Sequence, residues 1–450
     1  MKSHLKKFIA KMEVENPNEL VIQSFTNSYY KILEGATGKI SENEIEQPAS
    51  NNLTNYDELS EINSAFLGKL AVIKLNGGLG TSMGLNEPKS LIKIKNNLNF
   101  LDIIARQILH LRNHSQKDIP LLFMHSFNTR KKSLDYLKKY SNLKNDDIPL
   151  DFMQNKFPKI KQSNLSPLNN QNENLNWNPP GHGEIYLVLA ISGILDKLIK
   201  NGFEYVFISN ADNLGAVVDE KILTHFASNN IPFLMEVCNR TEMDKKGGHL
   251  AQTKSGQLLL RESAQCPKNE LENFQNIDIF SYFNTNNLWI NLKSLKQRLY
   301  EKRFHLPLSM ILNSKTVDGE KVYQVESAMG SAISVFKNSK AIIVNRNRFI
   351  PVKTTNDLLI VWSDVFRLSE NFKLISQVPK IPKINLDTKF YQNYADFEMR
   401  FQKGVPSLKK CNQIEVNGDV FWGENVKISG KNVKISHSTT TFLENITLNQ

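Results

Sequence analysis

From Leu70 onward, apolar β-rich runs alternate with helical patterns, and this alternation limits the fold more than any other feature of the chain. LAVIKL (70 to 75) precedes a helical pattern from about Phe100 to Arg112, and IPLLFM (119 to 124) precedes one from about Thr129 to Tyr140. IPLDFM (148 to 153), a helix from Glu184 to about Lys200, and EYVFIS (204 to 209) continue the series. Strands this apolar are buried on both faces, which predicts an α/β fold with a parallel, doubly wound sheet. A second, mixed segment runs from Pro232 to about Gln402, with strands predicted at FLMEVCN (233 to 239) and QLLLRES (257 to 263). Residues 1 to 65 read as a polar helical extension with a loop near Glu46 to Asn55. SNLSPLNNQNENLNWNPP (163 to 180) carries seven asparagines and three prolines, so it reads as an irregular surface excursion near a site. From Ile414 the texture changes, with a Gly-x-x-Val unit at Gly423 and again at Gly430. That repeat predicts short β-helix coils with Val420, Val426, Ile428, Val433 and Ile435 inward, a plain β-meander being the alternative.

Open α/β sheets hold ligands at the carboxyl ends of their strands, and the stretches that follow the predicted strands are chemically suited to that. VIKLNGGLGTSMGLNEPKS places Gly77, Gly78, Gly80 and Gly84 directly after the first strand and Lys89 after a proline. Backbone without a Cβ lets amide groups approach a phosphate or a flat base closely. The P-loop pattern fails, because Pro88 precedes Lys89, and the dinucleotide fingerprint fails, because Met83 stands where glycine is required. Taken alone, the glycines would be an ordinary strand-to-helix turn. They are not alone: Gln154 follows IPLDFM, PPGHGEIY (179 to 186) opens a helix, and SNADNLGA (209 to 216) follows EYVFI.

Composition excludes other classes. Lysine and arginine total 56 against 45 acidic residues, a net charge of +11, yet the cations are dispersed and no aromatic-interleaved basic motif appears. Nucleic acid is therefore not expected as a partner. Hydrophobic residues make up 40% without a run approaching the roughly 18 that a membrane-spanning helix needs, so no membrane is expected either. Cys238, Cys266 and Cys411 are scattered without metal spacing, and the N-terminus lacks signal-peptide character, which together predict the cytoplasm.

KLNGGLGTSMG, PKSL, FNT (127 to 129), PPGHG, SNADNLGA, KGGHLAQ (246 to 252), FNTNNLWI (283 to 290) and RFIPVKTTNDLL (348 to 359) occur in that order. Together they resemble the eukaryotic-type UTP–glucose-1-phosphate uridylyltransferase family from about residue 20 into the tail. The resemblance implies a Rossmann-like nucleotidyltransferase core with a mixed sheet (66 to 402), the N-terminal helical extension (1 to 65) and a small C-terminal left-handed β-helix (403 to 450). It implies UTP and glucose 1-phosphate as substrates, Mg2+ as cofactor, and allows a homo-oligomer through the β-helix. By motif, Leu75, Asn76, Gly77 and Gly78 would meet the uracil and ribose side of UTP, and Lys89 the triphosphate, with Gly77 and Gly78 also lining the sugar-phosphate site. Gln154 and Gly181 match uridine contacts, His182 a sugar-phosphate contact, Asn210 and Asn286 sugar contacts, Asp212 the metal ligand, and Lys353 a second phosphate-binding lysine. Lys89, Asp212 and Lys353 are the catalytic candidates. Glu87 departs from the family, standing where many members carry glycine, and the chain ends soon after the coils.

The residues suit the implied chemistry. Two anions must react, so compact ammonium groups are needed to offset repulsion and no covalent nucleophile is required. Asp212 after a strand can hold Mg2+ through one oxygen, though a turn or cap aspartate looks the same in sequence. His182 between two glycines would otherwise be a plain turn histidine, and Asn286 a loop cap. Competing readings are the same transfer to N-acetylglucosamine 1-phosphate or a broad set of sugar 1-phosphates, and a non-catalytic sugar-nucleotide sensor. Retention of Lys89, Asp212 and Lys353 argues against the sensor.

Overall fold

A computed structural model of the chain describes residues 2–15, 17–245 and 247–449. Lys246, the first residue of KGGHLAQ, lies outside the described residues. An eleven-stranded sheet forms the centre. Its strands are β1 (Ile45–Glu46), β2 (Leu53–Asn55), β3 (Leu70–Asn76), β4 (Leu121–His125), β5 (Asp151–Met153), β6 (Tyr205–Asn210), β7 (Phe233–Asn239), β8 (His249–Thr253), β9 (Leu258–Arg261), β10 (Tyr282–Asn291) and β11 (Lys340–Ile343). Across the sheet the order is β2-β11-β7-β10-β6-β3-β4-β5, with β8 pairing β1, β9 and β10.

β3 is buried at all seven positions because strands flank it and layers cover both faces. Its side chains alternate: Ala71, Ile73 and Leu75 enter one core, Leu70 and Val72 the other. β6, β3, β4 and β5 run parallel, as the alternation predicts. β10 runs antiparallel to both β6 and β7, so the sheet is mixed. This agrees with the mixed sheet that the resemblance implies and corrects the parallel sheet read from the alternation alone, which missed β10 because it carries NTNNLW and asparagine is depleted in strands.

The helices are α1 (Lys2–Glu13), α2 (Glu19–Leu33), α3 (Phe100–Ser115), α4 (Arg130–Leu137), α5 (Ile185–Ile191) and α6 (Ile194–Lys200), with shorter ones beyond. A capping box between Asn99 and Asp102 starts α3. The single helix expected from Glu184 to Lys200 is broken at Gly193, whose φ of +74° stops α5 and starts α6. α1 and α2 press Phe8, Phe25 and Tyr29 onto Phe157 and Trp177, and Tyr29 Oη donates to the Leu165 carbonyl at 2.7 Å. The 163–180 segment is therefore clamped at Leu165 and at Asn176, Trp177 and Asn178, which are buried, while 169 and 171–174 lie exposed at the surface as expected. β1 and β2, inside the N-terminal segment, are strands of the main sheet.

Beyond residue 380 the strands pair in parallel on three small sheets. Ile414 lies opposite Val433 and Val420 opposite Thr441, so paired strands recur about every twenty residues. The seven-residue Gly-x-x-Val spacing leads from a strand of one small sheet to a strand of the next, not to its paired strand. Lys383–Leu386 pairs with Gln413–Asn417, so the stack takes in a strand that precedes residue 403. Val420, Val426, Ile428, Val433 and Ile435 are buried, in a core continuous with Met83 of the glycine loop and with Ile350 and Val352.

That continuity predicts the effect of truncation. Removing residues 414–450 takes away a large part of the core to which Met83, Ile350 and Val352 belong, so the truncated chain should lose its cooperative thermal transition and its ligand site together. Calorimetry on both chains checks this, and a native-like transition with intact ligand binding would show the tail to be separable.

Candidate active site

In-register pairing of β3 with β6 sets Leu75 beside Asn210, so the segments that follow leave the sheet at the same edge. The glycine loop then folds back on itself: Gly80 N donates to Glu87 O at 3.2 Å, Leu79 bridges Pro88, and Lys89 N donates to Gly78 O at 3.2 Å. The return delivers Lys89 next to Gly78. Gly80 is required because a Cβ would meet Leu85 at 2.8 Å. Gly78 is different: it is exposed, and a Cβ there would meet no atom within 4 Å. Nothing in the fold needs glycine at 78, so the bare surface suits a ligand. Glu87 points away along the loop to Lys132 of α4 at 2.5 Å.

Lys89 Nζ lies 2.6 Å from Asp212 Oδ2, in a pair whose side chains are 13% and 27% exposed. Asp212 is not a cap. The turn is made by Asn213, whose Oδ1 accepts from Gly215 N at 3.2 Å, while the Asp212 carboxylate is taken by Lys89. Asp212 O accepts from Val352 N at 3.2 Å, which brings the next residue, Lys353, to the same edge. Lys353 is held by its backbone, with Ser82 Oγ donating to its carbonyl and its amide donating to Asp357, while its exposed side chain bonds no described residue.

Across the loop, Gln154 is buried and donates from Nε2 to the Gly181 carbonyl at 2.6 Å. Its Oε1 is left facing Gly77, where an added Cβ would lie 3.5 Å away. Gly181 has φ +80°, and a side chain would strike Ser327 O at 2.4 Å. His182 Nδ1 accepts from Met329 N at 2.9 Å, and burial lowers the imidazole pKa to about 4. The ring is thus neutral, with Nε2–H available as a donor. Glu184 accepts from Asn155 N and Nδ2, and burial raises its pKa to about 7.

Asn210 ends β6 beside Leu75. Asn286 sits where β10 slips register against β7 between Glu236 and Val237, with φ +58° and its Oδ1 accepting from Asn284. Such a bulge re-aims a side chain out of the ladder. Asn76 departs from the expected pattern. Its amide turns inward to Ser133 at 3.0 Å and His125 at 3.2 Å, leaving its backbone to shape the loop.

Several groups near these residues carry no sequence signal. Lys74 is buried and donates to Ser209 Oγ and Ala216 O, tying both ends of the Asp212 segment, and burial lowers its pKa to about 7. The Glu262 carboxyl, raised in pKa by burial and opposed by Lys353, stands against Gly248. Glu236 and Arg348 form a buried pair. Only burial distinguishes these from solvated charges. Among the described residues no three His, Cys, Asp or Glu side chains form a metal-sized cluster.

An open α/β sheet bearing a glycine loop, two lysines and one carboxylate at its strand ends has the make-up of a nucleotide-phosphate-binding protein. The chain belongs to the UTP–glucose-1-phosphate uridylyltransferase family, whose model matches residues 22–429. It is similar to the UTP–glucose-1-phosphate uridylyltransferase of Musa acuminata, at 40% identity over 99% of this chain and 97% of the relative. It is 39% identical to that of Encephalitozoon cuniculi, covering 95% and 86%. Among solved structures, a mutant Leishmania major UDP-glucose pyrophosphorylase in complex with UDP-glucose superposes with a TM-score of 0.92 at 40% identity, covering 100% of this chain and 98% of that one. A Trypanosoma brucei UDP-glucose phosphorylase gives 0.89 at 40%, with both chains fully covered.

The raised Glu184 pKa carries a stability consequence. Between pH 4.5 and about 7 the unfolded chain has released the proton that folded Glu184 keeps, so this residue makes stability fall as pH rises. His182 works in the opposite direction as pH falls below 6.5. Glu184→Gln removes only the first contribution, so in that window its stability should gain on the parent by up to about 1.4 kcal/mol per pH unit. Urea midpoints of both proteins across the window test this, and parallel curves would contradict it.

Proposed function

We propose that the chain transfers UMP from UTP to glucose 1-phosphate, giving UDP-glucose and pyrophosphate. The observation that carries this reading is the Lys89–Asp212 pair beside the open backbone of Gly78, in a family whose members bear that activity in their names. An oxygen of the sugar phosphate attacks the α-phosphorus of UTP; the new P–O bond forms as the bond to the β-phosphate bridging oxygen breaks, and pyrophosphate takes that electron pair. Both reactants are anions, so the protein must align them and offset their charge.

The backbone of Leu75, Asn76, Gly77 and Gly78 supports the uridine and the approaching sugar phosphate. Lys89 has Asp212 as its counter-ion in the free protein and can turn to the triphosphate without leaving a buried charge uncompensated. Lys353 contributes the second ammonium group. His182, neutral with Nε2–H as donor, suits a sugar-phosphate oxygen, and Asn210 and Asn286 suit sugar hydroxyls. Asp212 would hold Mg2+ through a carboxylate oxygen, the hard donor that this ion takes. Bound there, Mg2+ would neutralise phosphate charge.

We read the three parallel tail sheets as coils of a left-handed β-helix that takes in Lys383–Leu386, following a catalytic unit whose sheet includes β1 and β2 of the N-terminal segment. Phe442, 67% exposed and stacked on Phe421, lies on the outer coil and suits contact with a second copy. No described helix is long and apolar enough to cross a membrane. A cytoplasmic enzyme acting without nucleic acid fits these features.

Gln154 sets the base preference. With Nε2 committed to Gly181, the amide offers an acceptor to the crevice, which suits N3–H of uracil and opposes the N3 lone pair of cytosine. A site built to bond that edge also excludes purines. UTP should exceed CTP and ATP in kcat/KM by about 10² or more. The deciding experiment is pyrophosphate release with these nucleotides against a panel of sugar 1-phosphates, with and without Mg2+. Equal turnover with ATP, or none with UTP and glucose 1-phosphate, would overturn the assignment.

A further inference from the structure

Asp212 and Lys353 lie on segments far apart in sequence, and the fold must hold them in fixed relation. Asn213 makes the join. Its Oδ1 accepts from Ile350 N at 2.8 Å and Gly215 N at 3.2 Å, while its Nδ2 donates to Asn287 Oδ1 and Arg348 O, each at 3.1 Å. The amide's four hydrogen-bonding positions are thus all used inside the protein, and the residue is 3% exposed. Its backbone bridges Pro351, and on either side of it Val352 N donates to Asp212 O and Leu214 N to Ile350 O.

The segment that Asn213 grips is itself anchored. Arg348 bonds Glu236 through two contacts of 2.6 Å, and Glu236 also accepts from Asn287 Nδ2 and Trp289 Nε1. Gly215 permits the close approach, since a Cβ there would strike Asn347 O at 2.5 Å and Arg348 C at 2.6 Å. The network is buried and satisfied, so it has one arrangement.

We infer that Asn213 is the positioning residue that fixes Lys353 relative to Asp212 for the transfer step. The inference rests on the role proposed for Lys353 in that transfer. Without the Asn213 amide, Ile350 N loses its partner, Arg348 O keeps only Asn287 Nδ2, and the Val352–Lys353 backbone can drift by a fraction of an ångström. Misplacement on this scale costs turnover far more than it costs binding of the base, which is held at Gln154 and Gly77.

A double-mutant cycle tests this. Asn213→Ala should lower kcat about 10- to 100-fold with little change in the UTP dissociation constant. In a Lys353→Ala background the same substitution should lower kcat little further, because the group it positions is gone. A purely structural role predicts a lowered thermal transition and equal factors in both backgrounds. If Asn213→Ala does not fold, Asn213→Ser, which keeps one acceptor, enters the same cycle. Equal factors, or unchanged kcat in the folded single variant, overturn the inference while leaving Lys353 in place. Full turnover by Lys353→Ala alone overturns the proposed role of Lys353 and the inference with it.

Discussion

The parallel pairing of β3 with β6 is the constraint on which the site depends. It sets Leu75 beside Asn210, so the glycine loop and the Asp212 segment leave the sheet together. A slip of one residue would reverse every side chain of β3 between its two cores. It would also carry Lys74 away from Ser209 and Ala216, which it now ties from beneath. The site inherits its register from this strand pair, whose carboxyl ends bring Leu75, Asn76 and Asn210 to one edge.

Charge is managed at two depths. The Glu236–Arg348 pair is buried and complete, with hydrogen bonds on both partners, so it supplies a fixed arrangement more than net stability. The Lys89–Asp212 pair is partly exposed and has fewer other bonds, so its partners are free to exchange. The inner pair fixes the loop that carries Lys353, and the outer pair compensates two charges at the edge of the sheet.

The sequence discloses these levels unequally. β3, β6 and β7 are readable because fully buried strands are continuous apolar runs, and the glycine loop is readable as a cluster after a strand, although packing asks for Gly80 and Gly84 and leaves only Gly78 open. β10 is hidden, since its asparagines serve a bulge and a network rather than a pleat. Asn213 looks like any turn asparagine beside Asp212, and the three bonds it makes beyond its own turn cannot be seen locally. The inward turn of the Asn76 amide has the same cause: its partners His125 and Ser133 come from other elements. The Gly-x-x-Val spacing is visible, but whether it leads to the next small sheet or to the paired strand depends on pairing across about twenty residues.

The central claim is that the glycine loop offers bare backbone to a nucleotide while Lys89 supplies the charge that backbone cannot. Gly78→Val and Lys89→Ala separate the two, because an added Cβ at 78 meets nothing in the protein. Thermal transition, UTP dissociation constant and saturated turnover should be measured for both. Gly78→Val should keep its transition and lose UTP affinity; Lys89→Ala should bind UTP with a smaller change and lose about 10² or more in turnover. Unweakened UTP binding by Gly78→Val, or full saturated turnover by Lys89→Ala, would contradict the account.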